Sequence, residues 1–256
     1  MRKVGSAISV VLPVYNGEKF IRKSIVALSK FLRSLNYSWE IIVVDDGSSD
    51  STPHILKKLQ NDFHPFLRVF GYRVNKGKGY AFRFGALRAR GDVIVLHDSD
   101  LDIPPEQILV LLKAMRDSGA DIVVTSKWHP KSKVTASFLR KFLSYGFRLL
   151  VRLLTGLKLR DTQTGSKAFK RGVLERILPY MRVKRYAFDV ELLYLAKCFG
   201  FKIVEVPAIK PIKLGSNFSF REIFHMFIDL LAITYWYRIK KIWKARKYVP
   251  VRSLSY

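Results

Sequence analysis

Gly91-Asp-Val-Ile-Val-Leu-His-Asp-Ser-Asp-Leu-Asp-Ile-Pro-Pro-Glu106 is the stretch of this 256-residue chain that decides its fold. Val93 to Leu96 is a short, apolar, β-branched run of the kind that forms a buried strand, and Pro104 with Glu106 opens a helix. Asp98, Asp100 and Asp102 therefore stand where a strand ends, which is where open α/β sheets bind ligands. Three carboxylates at alternate positions repel one another, and a hard divalent cation, which takes oxygen ligands, relieves that repulsion. The competing reading is a solvated acidic turn. A calcium-binding EF-hand loop is excluded: counting from Asp98, the sixth position is Ile103 in place of Gly and the twelfth is Leu109 in place of Glu.

Outward from this stretch, strands alternate with helices. Upstream, Ile8 to Val14 reads as a strand and Glu18 to Leu35 as a helix, with Ile21, Ile25, Leu28, Leu32 and Leu35 at helical spacing. Glu40 to Val44 is a second buried strand that runs into the turn cluster Asp45 to Asp50, after which Thr52 can cap and Pro53 can open a helix. Leu67 to Tyr72 reads as a third strand, Asn75 to Gly79 as a loop and Tyr80 to Ala89 as a helix. Downstream, the pattern predicts a helix over Glu106 to Ser118, a strand over Asp121 to Thr125 and a long amphipathic helix over Phe138 to Leu154, with Lys141, Arg148 and Arg152 on one side. Asp161 to Lys170 reads as a polar loop, Phe188 to Phe199 as a helix, Ile203 to Ile209 as a strand, and Phe220 to Trp243 as one final long helix. This alternation predicts an α/β fold, a mostly parallel sheet with helices on both faces. Asp45 and Asp46, the Lys-Gly-Lys-Gly loop and the Asp98 to Asp102 cluster then fall on one sheet edge and face one crevice.

Composition bounds the partners. Lys plus Arg number 46 and Asp plus Glu 20, a formal charge of +26, which calls for an anionic partner: nucleic acid, a membrane surface or a phosphorylated substrate. The charge is uneven, because no acid follows Asp229 while Arg238, Lys240, Lys241, Lys244, Arg246, Lys247 and Arg252 do. Cys198 is the single cysteine, so there is no internal disulfide and no cysteine-based zinc site. The five histidines share no metal-ligand spacing. No signal peptide and no transmembrane helix are expected, since Ile223 to Tyr237 falls short of the roughly 20 apolar residues a spanning helix needs. Nucleic-acid binding, favoured by the charge and by Tyr235-Trp236-Tyr237-Arg238, lacks any helix-turn-helix, zinc or RNP pattern, and an acidic crevice repels a phosphate backbone. An Asp-x-Asp phosphatase needs Thr where Asp102 stands.

Lys76 and Lys78, set between Asn75, Gly77 and Gly79, suit a phosphate loop: the glycines let backbone N–H groups approach and the ammoniums offset charge. Beside a carboxylate-held cation, the matching ligand is a nucleotide diphosphate. The motifs Leu12-Pro13-Val14-Tyr15-Asn16-Gly17-Glu18, Val44-Asp45-Asp46-Gly47-Ser48, Asn75-Lys76-Gly77-Lys78-Gly79 and Asp98-Ser99-Asp100, in that order, resemble the donor half of family-2, GT-A-fold (Rossmann-like) glycosyltransferases. Leu159 to Phe169 and Arg185 to Tyr194 resemble the dolichyl-phosphate glucose synthases, with dolichyl-phosphate mannose synthases as close relatives.

The resemblance implies transfer of a hexose from UDP-glucose, or else GDP-mannose, to dolichyl or polyprenyl phosphate. It implies that Pro13, Tyr15 and Asp45 line the base and ribose site, that Asp46 supports it and that Lys78 meets the diphosphate. Asn16, Glu18, Lys76 and Gln163 join the substrate-binding set. Asp98 and Asp100, with Asp102, would hold Mg²⁺ or Mn²⁺, and Lys127, Arg140 and Lys213 would grip the lipid phosphate. Asp189, the general base of hydroxyl-accepting relatives, is expected here to orient the sugar or the basic residues, with Asp100 and Arg140 completing the catalytic set. The expected organisation is a GT-A domain over residues 1–215 and an amphipathic helix with a basic, membrane-associating tail over 216–256, held peripherally at the cytoplasmic face of a membrane. Transfer to a sugar hydroxyl is the alternative within the family.

Overall fold

The structure is a computed structural model that describes residues 7–185, 187–213 and 220–245. The basic tail past residue 245, Tyr186 and the expected boundary at 215/216 lie outside the described residues.

In chain order, the first half comprises β1 (Ile8–Val14), α1 (Ile21–Ser34), β2 (Trp39–Asp45), α2 (Thr52–Asp62), β3 (Leu67–Gly71), α3 (Lys78–Ala86), β4 (Val93–His97), α4 (Gln107–Ser118) and β5 (Ile122–Ser126). Then follow β6 (Val134–Thr135), α5 (Phe138–Thr155), β7 (Ser166–Lys170), α6 (Arg171–Ile177), α7 (Phe188–Cys198), β8 (Ile203–Pro207), β9 (Ile212–Lys213), α8 (Phe220–Ile233), a π-helical turn (Thr234–Ile239) and α9 (Ile242–Ala245). Seven strands form one sheet in the order β3-β2-β1-β4-β7-β5-β8, and β6 pairs with β9 apart from it. The expected α/β architecture is thus present.

Strand residues send alternate side chains to two cores, as the period of two requires. Val10, Leu12, Ile41, Val43 and Val95 pack with Ile21, Ile25, Leu28 and Leu32 of α1 and with α2 and α4. Val11, Ile42, Val44, Ile94 and Leu96 face α3, α6 and α7. Each aliphatic side chain fully buried this way contributes roughly 1.5–3 kcal/mol relative to exposure. Leu230 and Ile233 of α8 and Tyr237 of the π turn lie in the second of these cores, so the C-terminal segment packs on the same side of the sheet as α3, α6 and α7.

Three local expectations are corrected. Asp161 to Lys170 is only partly a loop: Ser166–Lys170 is a strand, antiparallel between β4 and β5 at the middle of the sheet. Its Ser-Lys-Ala-Phe-Lys sequence holds no β-branched residue and has a lysine in the interior, which hides it from a propensity reading. Thr52 is the first helical residue of α2, after Ser51 at the N-cap, and its hydroxyl accepts the Gly17 N–H at 2.8 Å instead of capping. The final helix is interrupted, because the π turn and a positive φ of 48° at Lys241 separate α8 from α9.

At the β4–β7 seam His97 faces Ser166 in register. Its Nε2 lies 3.0 Å from the Ile103 carbonyl oxygen, which can only accept, so Nε2 carries the proton and Nδ1 accepts the Ser166 hydroxyl at 3.0 Å. Burial pushes this imidazole down to about 4, with Lys78 adding to the shift while Asp98 and the Ile103 hydrogen bond oppose it. Below about pH 6.5 the unfolded chain takes up a proton that the folded imidazole refuses until about pH 4, so this stability is complete above pH 6.5 and is lost as pH falls through that window, on the order of 3 kcal/mol in all. Denaturant titrations of His97→Gln against the native chain between pH 7 and 4 are expected to show a shallower loss of stability in the variant; equal slopes would refute the neutral buried histidine.

Candidate active site

The sheet order reverses between β1 and β4, and the carboxyl ends of β1, β2 and β4 open onto one crevice. At the end of β2, Asp46 is buried and accepts the Tyr72 hydroxyl at 2.6 Å, the Asn75 side-chain amide at 3.0 Å and the backbone N–H groups of Lys76 at 2.8 Å and Gly77 at 2.9 Å. One carboxylate therefore shapes the whole Asn75–Gly77 loop. Asp45, also buried, accepts the Ser48 N–H at 3.0 Å and fixes its own turn.

The glycines of this loop answer to a different neighbour from the one expected. Gly77 has φ 99°, and a Cβ there would meet the Lys184 carbonyl oxygen at 2.6 Å and the Arg185 side chain; one at Gly79 would fall on Phe188. The absence of side chains at 77 and 79 admits Lys184, Arg185 and Phe188, which form a wall of the loop. Lys76 lies over the rings of Tyr72 and Tyr80, 5.1 and 4.6 Å from their centroids, which holds its ammonium at the loop mouth.

Lys78, at the start of α3, is ion-paired with Asp98 at the end of β4. Burial disfavours both charges, yet each partner outweighs it: Asp98 keeps the lysine above its ordinary value, and Lys78, with lesser help from His97 and Lys167, holds Asp98 below the usual carboxylate range. A side chain at Gly165 would fall on the Asp98 carboxylate, so the loop before β7 closes the other side. Asp100 is exposed and accepts the Asp102 N–H at 3.1 Å. Partial desolvation by the surrounding crevice raises its carboxyl, and the nearby Asp98 and Asp102 charges add to the shift while the Asp102 N–H and Lys78 oppose it. A divalent cation would relieve that repulsion, and Asp98 and Asp100 are the hard oxygen donors to hold it. Among the described residues no three His, Cys, Asp or Glu side chains gather as a metal set. Two carboxylates with phosphate and water oxygens are a usual complement for Mg²⁺.

Other expected residues are placed differently. Pro13 is buried inside β1 opposite Val44, leaving Tyr15, half-exposed, as the accessible group at that strand end. Asn16 Oδ1 accepts the Ser49 N–H at 2.9 Å and Glu18 Oε2 the Ser51 N–H at 3.0 Å, so both join the β1 turn to the β2 turn. Asp189 is buried in α7 and paired at 2.7 Å with Lys167, a residue 1% exposed that the sequence reading left without a role. Lys167 also donates to the Thr164 carbonyl, while the Thr164 hydroxyl donates to Asp161 at 2.5 Å. Asp161 in turn accepts the Lys127 N–H at 2.9 Å, with the Lys127 ammonium 3.9 Å away. Residues 161–167 thus run as one hydrogen-bonded strip from Lys127 to Asp189, with Gly165 close against Asp98.

Lys127 opens onto a cavity of about 790 Å³ between α5 and α8, lined by Arg140, Arg160 and Gln163 at polar positions and by Phe142, Phe147, Leu150, Phe224 and Phe227 along its walls. Lys127, Arg140 and Gln163 are brought together there. Lys213 lies in β9, paired with Thr135.

Residues 9–178 match the family model "Glycosyl transferase family 2". The chain belongs to glycosyl transferase family 2. This glycosyltransferase is 32% identical to a dolichyl-phosphate β-glucosyltransferase of Trichomonas vaginalis over 93% of its own length and 76% of the relative's. It is 34% identical to the dolichyl-phosphate β-glucosyltransferase of Mus musculus over 93% of its own length and 79% of that chain. Its fold is similar to that of glucosyl-3-phosphoglycerate synthase from Mycobacterium tuberculosis, solved in complex with Mn²⁺, UDP-glucose and phosphoglyceric acid, with a TM-score of 0.68 and 22% identity across 91% of this chain and 80% of that one.

The glycosyltransferase's Asp98 has no room to move toward Gly165. Gly165→Ala is expected to displace the carboxylate and weaken binding of a nucleoside diphosphate with a divalent cation about tenfold or more, equivalent to about 1.4 kcal/mol. Gly172→Ala, where a Cβ meets nothing within 4 Å, is the comparison and leaves binding unchanged. Titration calorimetry on the two proteins checks this; equal affinities would show that Asp98 takes no part.

Proposed function

We propose that this glycosyltransferase moves glucose from UDP-glucose to a polyprenyl phosphate of the dolichyl type. The observation that carries the reading is the α5–α8 cavity: the cations Lys127, Arg140, Arg148 and Arg160 beside aromatic and aliphatic walls match a phosphate joined to an isoprenoid chain. The names of the curated relatives support glucose as the sugar and dolichyl phosphate as the acceptor. Mannose from GDP-mannose is the competing donor.

The chemistry follows from charge. A lipid monophosphate is largely ionised near neutral pH and attacks the anomeric carbon without surrendering a proton, so no general base is required. Lys127 and Arg140 are assigned to hold and aim that phosphate from the cavity, with Lys213 as a third cation on this reading. Asp189, bound to Lys167, serves to fix the 161–167 strip rather than to take a proton. On the donor side Asp46 holds the loop, Tyr15 and Asp45 border the nucleoside, and Lys76 and Lys78 offset diphosphate charge. A divalent cation held by Asp98 and Asp100 would supply electrostatic stabilisation of the leaving nucleoside diphosphate. One in-line displacement inverts the anomeric centre.

The acceptor's tail fixes the enzyme's place. Among the described residues no helix is long and apolar enough to cross a membrane. Phe138, Phe142, Tyr145 and Leu153 on α5, and Phe224, Ile228 and Leu231 on α8, are exposed large apolar side chains. Each that enters the interface contributes up to roughly 1.5–3 kcal/mol, and the basic residues about 1 kcal/mol each near anionic lipid. We assign these two helices and the basic residues of 216–256 to peripheral contact with the cytoplasmic face.

Transfer of radiolabelled glucose from UDP-glucose to polyprenyl phosphate with Mn²⁺ is the direct test. Activity is expected, with loss in EDTA and in Asp100→Ala; full activity in either would sink the assignment, and preference for GDP-mannose would overturn the sugar. For the acceptor site, Lys127→Met and Arg140→Met are each expected to raise the lipid-phosphate KM about tenfold, the loss of one charge-assisted contact, with the donor KM within about twofold. Equal effects on both substrates would mean that the acceptor site has been wrongly assigned.

A further inference from the structure

The C-terminal segment reaches the donor loop through one buried hydroxyl. The π turn directs Tyr237 inward, where it is 1% exposed. Its hydroxyl proton serves two acceptors, the Tyr180 carbonyl oxygen at 2.6 Å and Glu191 Oε1 at 2.5 Å. Glu191, fully buried in α7, uses its two oxygens to accept the backbone N–H groups of Arg182 at 2.8 Å and Val183 at 2.9 Å. The segment so fixed is the wall of the donor loop. Lys184, one residue on, accepts the Tyr80 N–H at 3.1 Å in the first turn of α3, and Arg185 packs on Gly77 while its guanidinium reaches the Asn75 carbonyl at 3.4 Å.

A buried carboxylate with a tyrosine on one side and two loop amides on the other is costly to keep unless every contact is made. Packing alone would be met by an aliphatic side chain at position 191. The same segment that supplies Tyr237 is tied to the end of α5, where Arg238 donates to the Leu153 and Leu154 carbonyls at 3.1 and 2.9 Å.

We propose that Tyr237 and Glu191 are positioning residues for the donor diphosphate loop, acting through residues 182–185, so that seating of the C-terminal segment sets donor affinity. This rests on the assignment of Asn75–Gly79 to the donor diphosphate. Tyr237 acts on the loop through Glu191, and the effect falls on donor binding without touching the acceptor cavity.

The test uses the full chain with Mn²⁺ and compares Tyr237→Phe and Glu191→Gln with two references, Lys78→Met and Ile25→Val. UDP dissociation constants are measured by calorimetry, and donor and acceptor KM values in vesicles containing polyprenyl phosphate. The expected result is a rise of about tenfold in the UDP dissociation constant and donor KM of Tyr237→Phe, the loss of one hydrogen bond to a charged group, with the acceptor KM within about twofold. Glu191→Gln keeps the volume but turns an N–H₂ toward a backbone N–H or the tyrosine, and is expected to shift the donor values in the same direction. Ile25→Val, in the opposite core, lowers the thermal midpoint without changing either KM. If Lys78→Met weakens UDP binding while Tyr237→Phe and Glu191→Gln do not, the positioning role is overturned and the donor site stands. If Lys78→Met leaves UDP binding unchanged, the donor-loop assignment fails and the positioning role falls with it. Equal changes in donor and acceptor KM would reduce both residues to structural anchors and also refute the proposal.

Discussion

A lysine ammonium buried at the centre of a β-sheet has to be neutralised, and that requirement organises the functional half of this protein. Lys167 sits in β7 with 1% exposure, where an unpaired charge would cost several kcal/mol. Its partners, Asp189 on α7 and the Thr164 carbonyl, bring one helix and one loop to the strand. That loop carries Gly165 against Asp98, and Asp98 is paired with Lys78 on α3. The buried Lys167–Asp189 pair and the partly exposed Lys78–Asp98 pair therefore lock α3, β4, β7 and α7 to one another. Well-packed apolar residues could hold these elements together with less desolvation, so the charges are better understood as fixing a geometry for ligands than as adding stability.

What the sequence made legible follows a physical line. β1, β2, β4 and β5 are parallel or central strands buried on both faces, and they announce themselves as apolar, β-branched runs. Asp45, Asp46 and Asp98 were found because they terminate such runs. β7 was missed because charge pairing, a tertiary property, stabilises it against its own composition. The packing of Gly77 and Gly79 on residues 184, 185 and 188 was invisible for a related reason: a sequence shows that a side chain is missing but not which distant residue fills the space. Asn16 and Glu18 lie in a motif beside the crevice, yet their oxygens close turns. Glu191 and Tyr237 left no signal at all, since a Glu in a helix and a Tyr in an aromatic segment are each read as surface or packing until the partner 46 residues away is seen. On α5 periodicity gave the stripe but not its covering, and Phe138 proves to be 85% exposed.

The C-terminal helix, expected to be amphipathic and membrane-associating, also packs on the protein core. Leu230, Ile233 and Tyr237 pack into the core, and Phe224, Ile228 and Leu231 remain outside. An α-helix that is apolar on more than one side is suited to a boundary, with protein on one flank and lipid on the other. Because α5 and α8 both line the cavity and present exposed apolar side chains, acceptor binding and surface attachment share the same structural elements.

The strand order has a consequence for the ribosome. β3, β2, β1 and β4 are contiguous in space and are made within the first 97 residues, so that half of the sheet can pair as the chain emerges. β5 follows soon after, but its neighbours in the sheet, β7 and β8, are made only past residue 165, and β7 must slide in between two strands synthesised before it. Until then Asp98 lacks Gly165, and the loop at Gly77 and Gly79 lacks its wall of Lys184, Arg185 and Phe188. A nascent chain stopped short of α7 would own the motifs that define a donor site and still be without the site. These long sequence separations are of the kind that slow folding. During that interval the central strand edge and the apolar faces of β4 and β5 stand open, a window in which a chaperone or a membrane surface would serve the chain before any substrate does.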